Sequence, residues 1–221
     1  QAMKTQPAAL TRAGDLMARQ PVVRVLDMDQ NPVTWDSSTT VSITVSAHVT
    51  TPVGEFMGST GLVPVAQASA LDVRVVNGEA SFSTLRFKGA LAHSYSLVVS
   101  ATGLTSVTTA EFQVTPGSLG GMTRTSNPVG GVNAEPLGGS ANGLNFPVLQ
   151  LRDSFGNNIT SDSNTVVTAR IASGNSGSLA GSVSATAVNG VVSFQNLRLS
   201  GLVSESYTLE FVSGAVVISS N

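Results

Sequence analysis

The sequence predicts an all-β chain of two tandem sandwich domains. Three observations carry that expectation: a set of blocks that occurs twice, apolar and polar residues alternating within the blocks, and Asn-Gly turn signals between them. Pro21 to Asp27 (PVVRVLD) matches Pro147 to Asp153 (PVLQLRD) at an offset of 126 residues, and Asn31 to Asp36 matches Asn157 to Asp162 at the same offset. Further on, Val76 to Phe82 (VNGEASF) matches Val188 to Phe194 (VNGVVSF) at an offset of 112, which leaves 14 additional residues in the first copy. Leu85 to Phe87 against Leu197 to Leu199, and Ser94 to Leu97 against Ser206 to Leu209, keep the order. Between the copies, Pro116 to Gly121 (PGSLGG) offers few groups to pack, so the domains are read as 1–116 and 117–221.

Alternation assigns the faces of each strand, and the two copies check one another. Val23 and Val25 correspond to Leu149 and Leu151 and face inward, whereas Arg24 and Gln150 face outward. Val41, Ile43 and Val45 correspond to Val167, Ala169 and Ile171 in the same way. Tyr95, Leu97 and Val99 answer to Tyr207, Leu209 and Phe211, and Ala110, Phe112 and Val114 form the inward face of the first copy's last strand. Asn77-Gly78 and Asn189-Gly190 lie between alternating runs, and since both residues tolerate positive φ they predict adjacent antiparallel strands. Pro7 to Gln20 has some helix-forming residues, but Pro128 to Gly143, its partner, is rich in Gly and Asn. A broken first strand and loop is therefore expected in both copies.

Composition narrows the function classes. Charged residues are 11% of the chain, less than half the roughly 25% of ordinary soluble domains, and the net charge is -2. No basic field is available to attract nucleic-acid phosphates. With no cysteine, thiolate metal sites and disulfide staples are excluded together, so stability rests on burial and backbone pairing. No stretch reaches the ~18 apolar residues that span a bilayer. The missing initiator Met and the apolar run Ala215 to Ile218 read as those of an excised piece.

The blocks Pro21 to Asp27 with Asn31-Pro32, Asn77-Gly78 through Phe82, Ser94 to Leu97, and Phe112 to Gly117 resemble bacterial immunoglobulin-like repeats of the invasin and intimin type, found in large surface adhesins. The resemblance covers nearly the whole chain. It implies two immunoglobulin-like β-sandwich domains, each of about seven strands. It also implies an extracellular, cell-surface location, with other domains of the same large protein as partners and a protein or glycan on another surface as the adhesion target. Two departures stand out: the long segment Ala47 to Ala70, and Tyr207 to Asn221, where much of the final hairpin is expected to be lost.

The chain holds few candidates for chemistry. His48 and His93 are the only histidines and lie in no recognisable pattern, so no catalytic residue and no cofactor is assigned. Asp27, Asp29 and Asn31, with Asp36 nearby, have the oxygen ligands and alternate spacing that calcium favours. The second copy has Phe155 in place of Asp29, which favours turn closure by the side chains instead, and no metal ligand is assigned. Asn158-Ile-Thr160 is a glycosylation sequon that acts only in a eukaryotic secretory pathway. Lys4 and Lys88 are the two lysines available for an isopeptide crosslink, against the commoner reading of solvated side chains.

Three residues are candidates for ligand binding. Phe56 and Met57 fall within the first copy's excess, where they either contact a partner or fold back over the core edge. Trp35, the lone tryptophan, either stacks on a sugar or caps a sandwich end. The expected role is a non-catalytic stalk, spacer and adhesion module. The alternatives are a carbohydrate-binding appendage of a secreted enzyme and a protomer of a surface layer or filament.

Overall fold

The computed structural model describes residues 1–46, 55–57, 71–88, 94–128, 132–138 and 146–220, with backbone only for 55–57. It is all-β, with immunoglobulin-like sandwich packing and no helix among the described residues. The chain divides into two compact units, Gln1–Gly117 and Ser118–Asn221.

The first unit's strands are β1 (Ala2–Thr5), β2 (Leu10–Arg12), β3 (Val22–Arg24), β4 (Thr40–Val45), β5 (Glu55–Met57), β6 (Leu71–Arg74), β7 (Glu79–Ser81), β8 (Arg86–Lys88), β9 (Ser94–Tyr95), β10 (Leu97–Ala101), β11 (Leu104–Thr108) and β12 (Phe112–Thr115). One sheet has the order β1-β3-β7 and another β11-β10-β4-β6. In a third, β12 lies between β2, to which it runs parallel, and β9, to which it runs antiparallel. β5 pairs with β8.

The second unit contains β13 (Leu119–Ser126), β14 (Val148–Asp153), β15 (Val166–Ser173), β16 (Ser178–Gly181), β17 (Ser184–Thr186), β18 (Val191–Ser193), β19 (Leu197–Ser200), β20 (Thr208–Ser213) and β21 (Val216–Ser219). Its sheets repeat those of the first unit in register. Leu149 pairs with Val192 as Val23 pairs with Ala80. Ala169 pairs with Phe211 as Ile43 pairs with Val99, and Leu179 with Leu199 as Phe56 with Phe87. No described residue of the second unit stands where β12 stands in the first.

Alternation produces both cores. Val23, Val25, Val41, Ile43, Leu97 and Val99 are buried in the first unit, and Leu149, Leu151, Val167, Ala169, Leu209 and Phe211 in the second. Each fully buried aliphatic side chain contributes roughly 1.5–3 kcal/mol. Phe87, Tyr95 and Phe112 cluster edge-on in the first unit, with the Phe87 centroid 5.1 Å from Tyr95 and 5.0 Å from Phe112.

Three expectations are corrected. The final hairpin of the second unit is not lost: β20 and β21 pair from Glu210 with Ser219 to Ser213 with Val216, and Gly214, with φ of 56°, makes the turn between them. Ala110 does not face inward: it is exposed and precedes β12, because Thr109 ties the chain to Leu97 just before the strand begins. The Asn-Gly turns are two-residue turns with φ of 51° and 79° at Asn77-Gly78 and 50° and 77° at Asn189-Gly190, but they do not join a paired hairpin. β6 and β7 belong to different sheets, as do β17 and β18, and only the bridges Val76 to Glu79 and Val188 to Val191 close the turns. The turn is held by distant backbone groups. Gly78 N–H donates to Asp36 O at 2.8 Å and Gly190 N–H to Asp162 O at 2.7 Å, while Gly78 O and Gly190 O accept from Val25 and Leu151.

Candidate functional site

The acidic corner is built in the same way in both units. Asp27 Oδ1 accepts from the Asp29 and Asn31 backbone N–H groups at 2.9 and 2.8 Å, and Asn31 Nδ2 donates to Asp27 Oδ2 at 3.4 Å. Asp153 Oδ1 accepts from Phe155 and Asn157 N–H, both at 2.9 Å, and Asn157 Nδ2 donates to Asp153 Oδ2 at 3.0 Å. At the middle position it is the backbone N–H that donates to the aspartate, so Asp29 and Phe155 can each supply that bond. The carboxylate closes a turn. No group of three His, Cys, Asp or Glu side chains is placed to hold a metal ion among the described residues.

A second corner repeats too. Asp36 Oδ1 accepts from Ser38 and Thr39 N–H at 2.9 and 3.1 Å, and Asp162 Oδ1 from Asn164 and Thr165 N–H at 2.9 and 2.8 Å. Hydrogen bonds from the Thr39 hydroxyl and from the Ser38 and Thr39 backbone lower the Asp36 carboxyl to about 2. At Asp162 burial pushes upward, but the Thr165 hydroxyl and the two N–H groups outweigh it, and the net direction is again down.

The residues singled out from the sequence are scattered. Trp35 lies on the turn before Asp36 with 78% of its surface exposed, so it does not cap the sandwich. Phe56 and Met57 lie in β5, a strand with a counterpart in β16, and so belong to the repeated scaffold and not to the insertion. Asn158 is exposed and bridged to Arg152. Lys4 Nζ donates to Glu79 Oε1 at 2.6 Å, and with Arg24 it holds the Glu79 carboxyl below its usual range. His48 and His93 lie outside the described residues.

A groove in the second unit was not visible in the sequence. Leu137, Leu199, Gly201, Leu202, Val203 and Tyr207 help to line a cavity of about 330 Å³. The Tyr207 hydroxyl ties its wall together, accepting from Leu202 N–H at 2.7 Å and lying 3.0 Å from Glu205 Oε2. Bonds from the Ser176 and Tyr207 hydroxyls hold the Glu205 carboxyl below its usual range. The compared segments SYSL and SYTL look alike and carry no signal of it.

No protein-family model and no curated protein matches the chain. Among solved structures, invasin, a bacterial integrin-binding protein, aligns at 12% identity and TM-score 0.38 over 100% of this chain and 39% of its own. InvD of Yersinia pseudotuberculosis aligns at 15% identity and TM-score 0.34 over 99% of this chain and 65% of its own. The β-glucuronidase of Parabacteroides merdae aligns at 10% identity and TM-score 0.31 over 99% of this chain and 25% of its own. The chain spans less than two thirds of the length of each.

Proposed function

We propose that the chain is a pair of non-catalytic immunoglobulin-like modules of a large extracellular surface protein, acting as spacer and adhesion module. One observation carries this reading. The polar side chains that repeat between the units, Asp27 with Asp153 and Asp36 with Asp162, are engaged in closing their own turns. What is repeated is scaffold. The low charge and the lack of cysteine fit a chain selected for folded length and not for chemistry.

Two measurements test it. Antibodies against the chain should label intact cells of the source organism; label that appears only after lysis overturns the surface assignment. The purified chain should turn over no glycoside, ester or peptide substrate, and reproducible turnover overturns the non-catalytic one.

A second reading, a carbohydrate-binding appendage, is favoured by the exposure of Trp35 alone. Glycan-array binding that disappears in Trp35→Ala would replace the spacer reading with this one.

A further inference from the structure

Asn-Gly is the residue pair that the two corner turns need, and it is also a pair open to self-modification. Glycine accepts positive φ without a steric penalty, and for the same reason it leaves its backbone nitrogen unshielded from the preceding side chain. In an unrestrained Asn-Gly that nitrogen loses its proton to solvent base and attacks the asparagine Cγ. A C–N bond forms, the side-chain nitrogen leaves as ammonia, and water then opens the five-membered imide to aspartate or isoaspartate. Base and water are the only co-reactants.

Both turns restrain the groups that this reaction must move. Asn77 and Asn189 are exposed, whereas Gly78 and Gly190 are buried. The attacking nitrogen is engaged as a donor, Gly78 N–H to Asp36 O at 2.8 Å and Gly190 N–H to Asp162 O at 2.7 Å. Each asparagine N–H is held as well, by Ser37 Oγ at 3.2 Å and Ser163 Oγ at 3.0 Å. On the far side, Val25 N–H donates to Gly78 O at 2.9 Å and Leu151 N–H to Gly190 O at 2.8 Å. Ring closure rotates the Asn-Gly peptide plane about the asparagine Cα–C bond, and that rotation breaks the bond to the aspartate carbonyl. The glycines have little room to turn: a Cβ on Gly78 would meet the Val33 carbonyl oxygen, and one on Gly190 that of Ile159.

We propose that Asn77 and Asn189 are latent modification sites, closed to deamidation while the corners at Asp36 and Asp162 are folded and opened when a corner opens. The corner sets the rate, and the exposure of the asparagine does not. Each corner is fixed in turn by its aspartate, whose Oδ1 accepts from the backbone N–H groups two and three residues further on. A buried hydrogen bond on the attacking nitrogen is enough to slow the reaction by about tenfold or more. The two corners lie in separate compact units, so isoaspartate at either site records the opening of its own unit.

The test incubates the whole chain at mildly alkaline pH, folded and in guanidinium chloride, and follows deamidation at each site by peptide mass spectrometry. Asn142-Gly143, which lies outside the described residues, is resolved as a separate peptide. The folded chain is expected to deamidate at Asn77 and Asn189 at least about tenfold more slowly than the unfolded one. Asp36→Ala should speed the reaction at Asn77 and leave Asn189 unchanged, and Asp162→Ala should do the reverse. Thr109→Val removes a buried hydroxyl bonded to Leu97 N–H, outside the corner, and should leave the Asn77 rate as it is. Equal rates in the folded and unfolded chains would overturn the proposal, and so would aspartate variants that speed both sites alike or neither. Acceleration at Asn77 by Thr109→Val to the level of Asp36→Ala would overturn it too, since global stability and not the corner would then set the rate. The comparison of folded with unfolded chain uses no variant, so it stays decisive even where a substitution prevents folding.

Discussion

Thr109 and Ser220 are the same residue of the repeat, each bonded twice to one leucine. Leu97 N–H donates to Thr109 Oγ1 and Thr109 N–H to Leu97 O, both at 2.9 Å; Leu209 N–H donates to Ser220 Oγ at 2.8 Å and Ser220 N–H to Leu209 O at 2.7 Å. Both hydroxyl residues are buried. Each replaces a ladder bond at the point where the chain leaves the β10–β11 or β20–β21 hairpin.

Removing the hydroxyl leaves a buried N–H without an acceptor, which costs about 1–3 kcal/mol. Thr109→Val and Ser220→Ala are expected to lose that much stability, whereas the exchanges Thr109→Ser and Ser220→Thr keep the acceptor and most of the stability. Urea unfolding followed separately for the two units would measure both. Equal loss in the hydroxyl-keeping variants would show that packing, and not the hydrogen bond, matters at this position.

The inward faces at Val23, Val41 and Leu97 were legible in the sequence because a period of two depends on local geometry alone. The destinations of the Asn-Gly turns were not. Whether a two-residue turn opens into a ladder or carries the chain to another sheet depends on Asp36 O and Val25 N–H, about forty and fifty residues away. Phe56 was placed in the insertion because the gap between the two offsets has no fixed position in sequence; the pairing of Phe56 with Phe87 fixes it. The groove was hidden for a similar reason. Tyr95 and Tyr207 sit in nearly identical sequences, and their surroundings differ through Phe112, which neither sequence contains.

Gly190 and Gly103 separate two effects of adding a Cβ. Both have φ of 77°, so alanine is strained at either site, by roughly 1 kcal/mol or more. At Gly103 nothing lies within 4 Å of the added carbon, but at Gly190 it meets the Ile159 carbonyl oxygen, which belongs to the backbone and has little room to retreat. Gly190→Ala is expected to destabilise the second unit by at least ~2 kcal/mol more than Gly103→Ala destabilises the first. Comparable denaturation midpoints for the two variants, relative to the parent, would remove the carbonyl contact from the account.

Trp35 should be energetically silent within the fold. Its ring is exposed and its counterpart is Ser161, so Trp35→Ser is expected to change stability by no more than about 0.5 kcal/mol. Acrylamide should quench its fluorescence nearly as efficiently as that of free tryptophan. Protection from acrylamide in the isolated chain would mean that the ring is covered in solution, and sugar stacking on Trp35 would then be overturned.

The two aspartate corners set the acid response. In the folded chain Asp36 titrates at about 2, held down first by the Thr39 hydroxyl and then by the Ser38 and Thr39 backbone N–H groups, whereas its ordinary value is 3.8. Folding therefore favours the ionised form. The stabilisation is fully present above about pH 4, where the unfolded chain is also ionised, and it fades as the pH falls towards about 2 because the unfolded state then binds the proton more readily. Asp162 shifts in the same direction, so both units lose stability in one acid window. Asp36→Asn retains a carbonyl oxygen for the two N–H donors but cannot titrate. It should lower stability at neutral pH and flatten the decline of the first unit's Tm between about pH 5 and pH 2, leaving that of the second unit unchanged. A parallel decline in the variant and the parent would assign the acid sensitivity to carboxylates other than Asp36, with Glu79, which is paired with Lys4 and Arg24, the next to substitute.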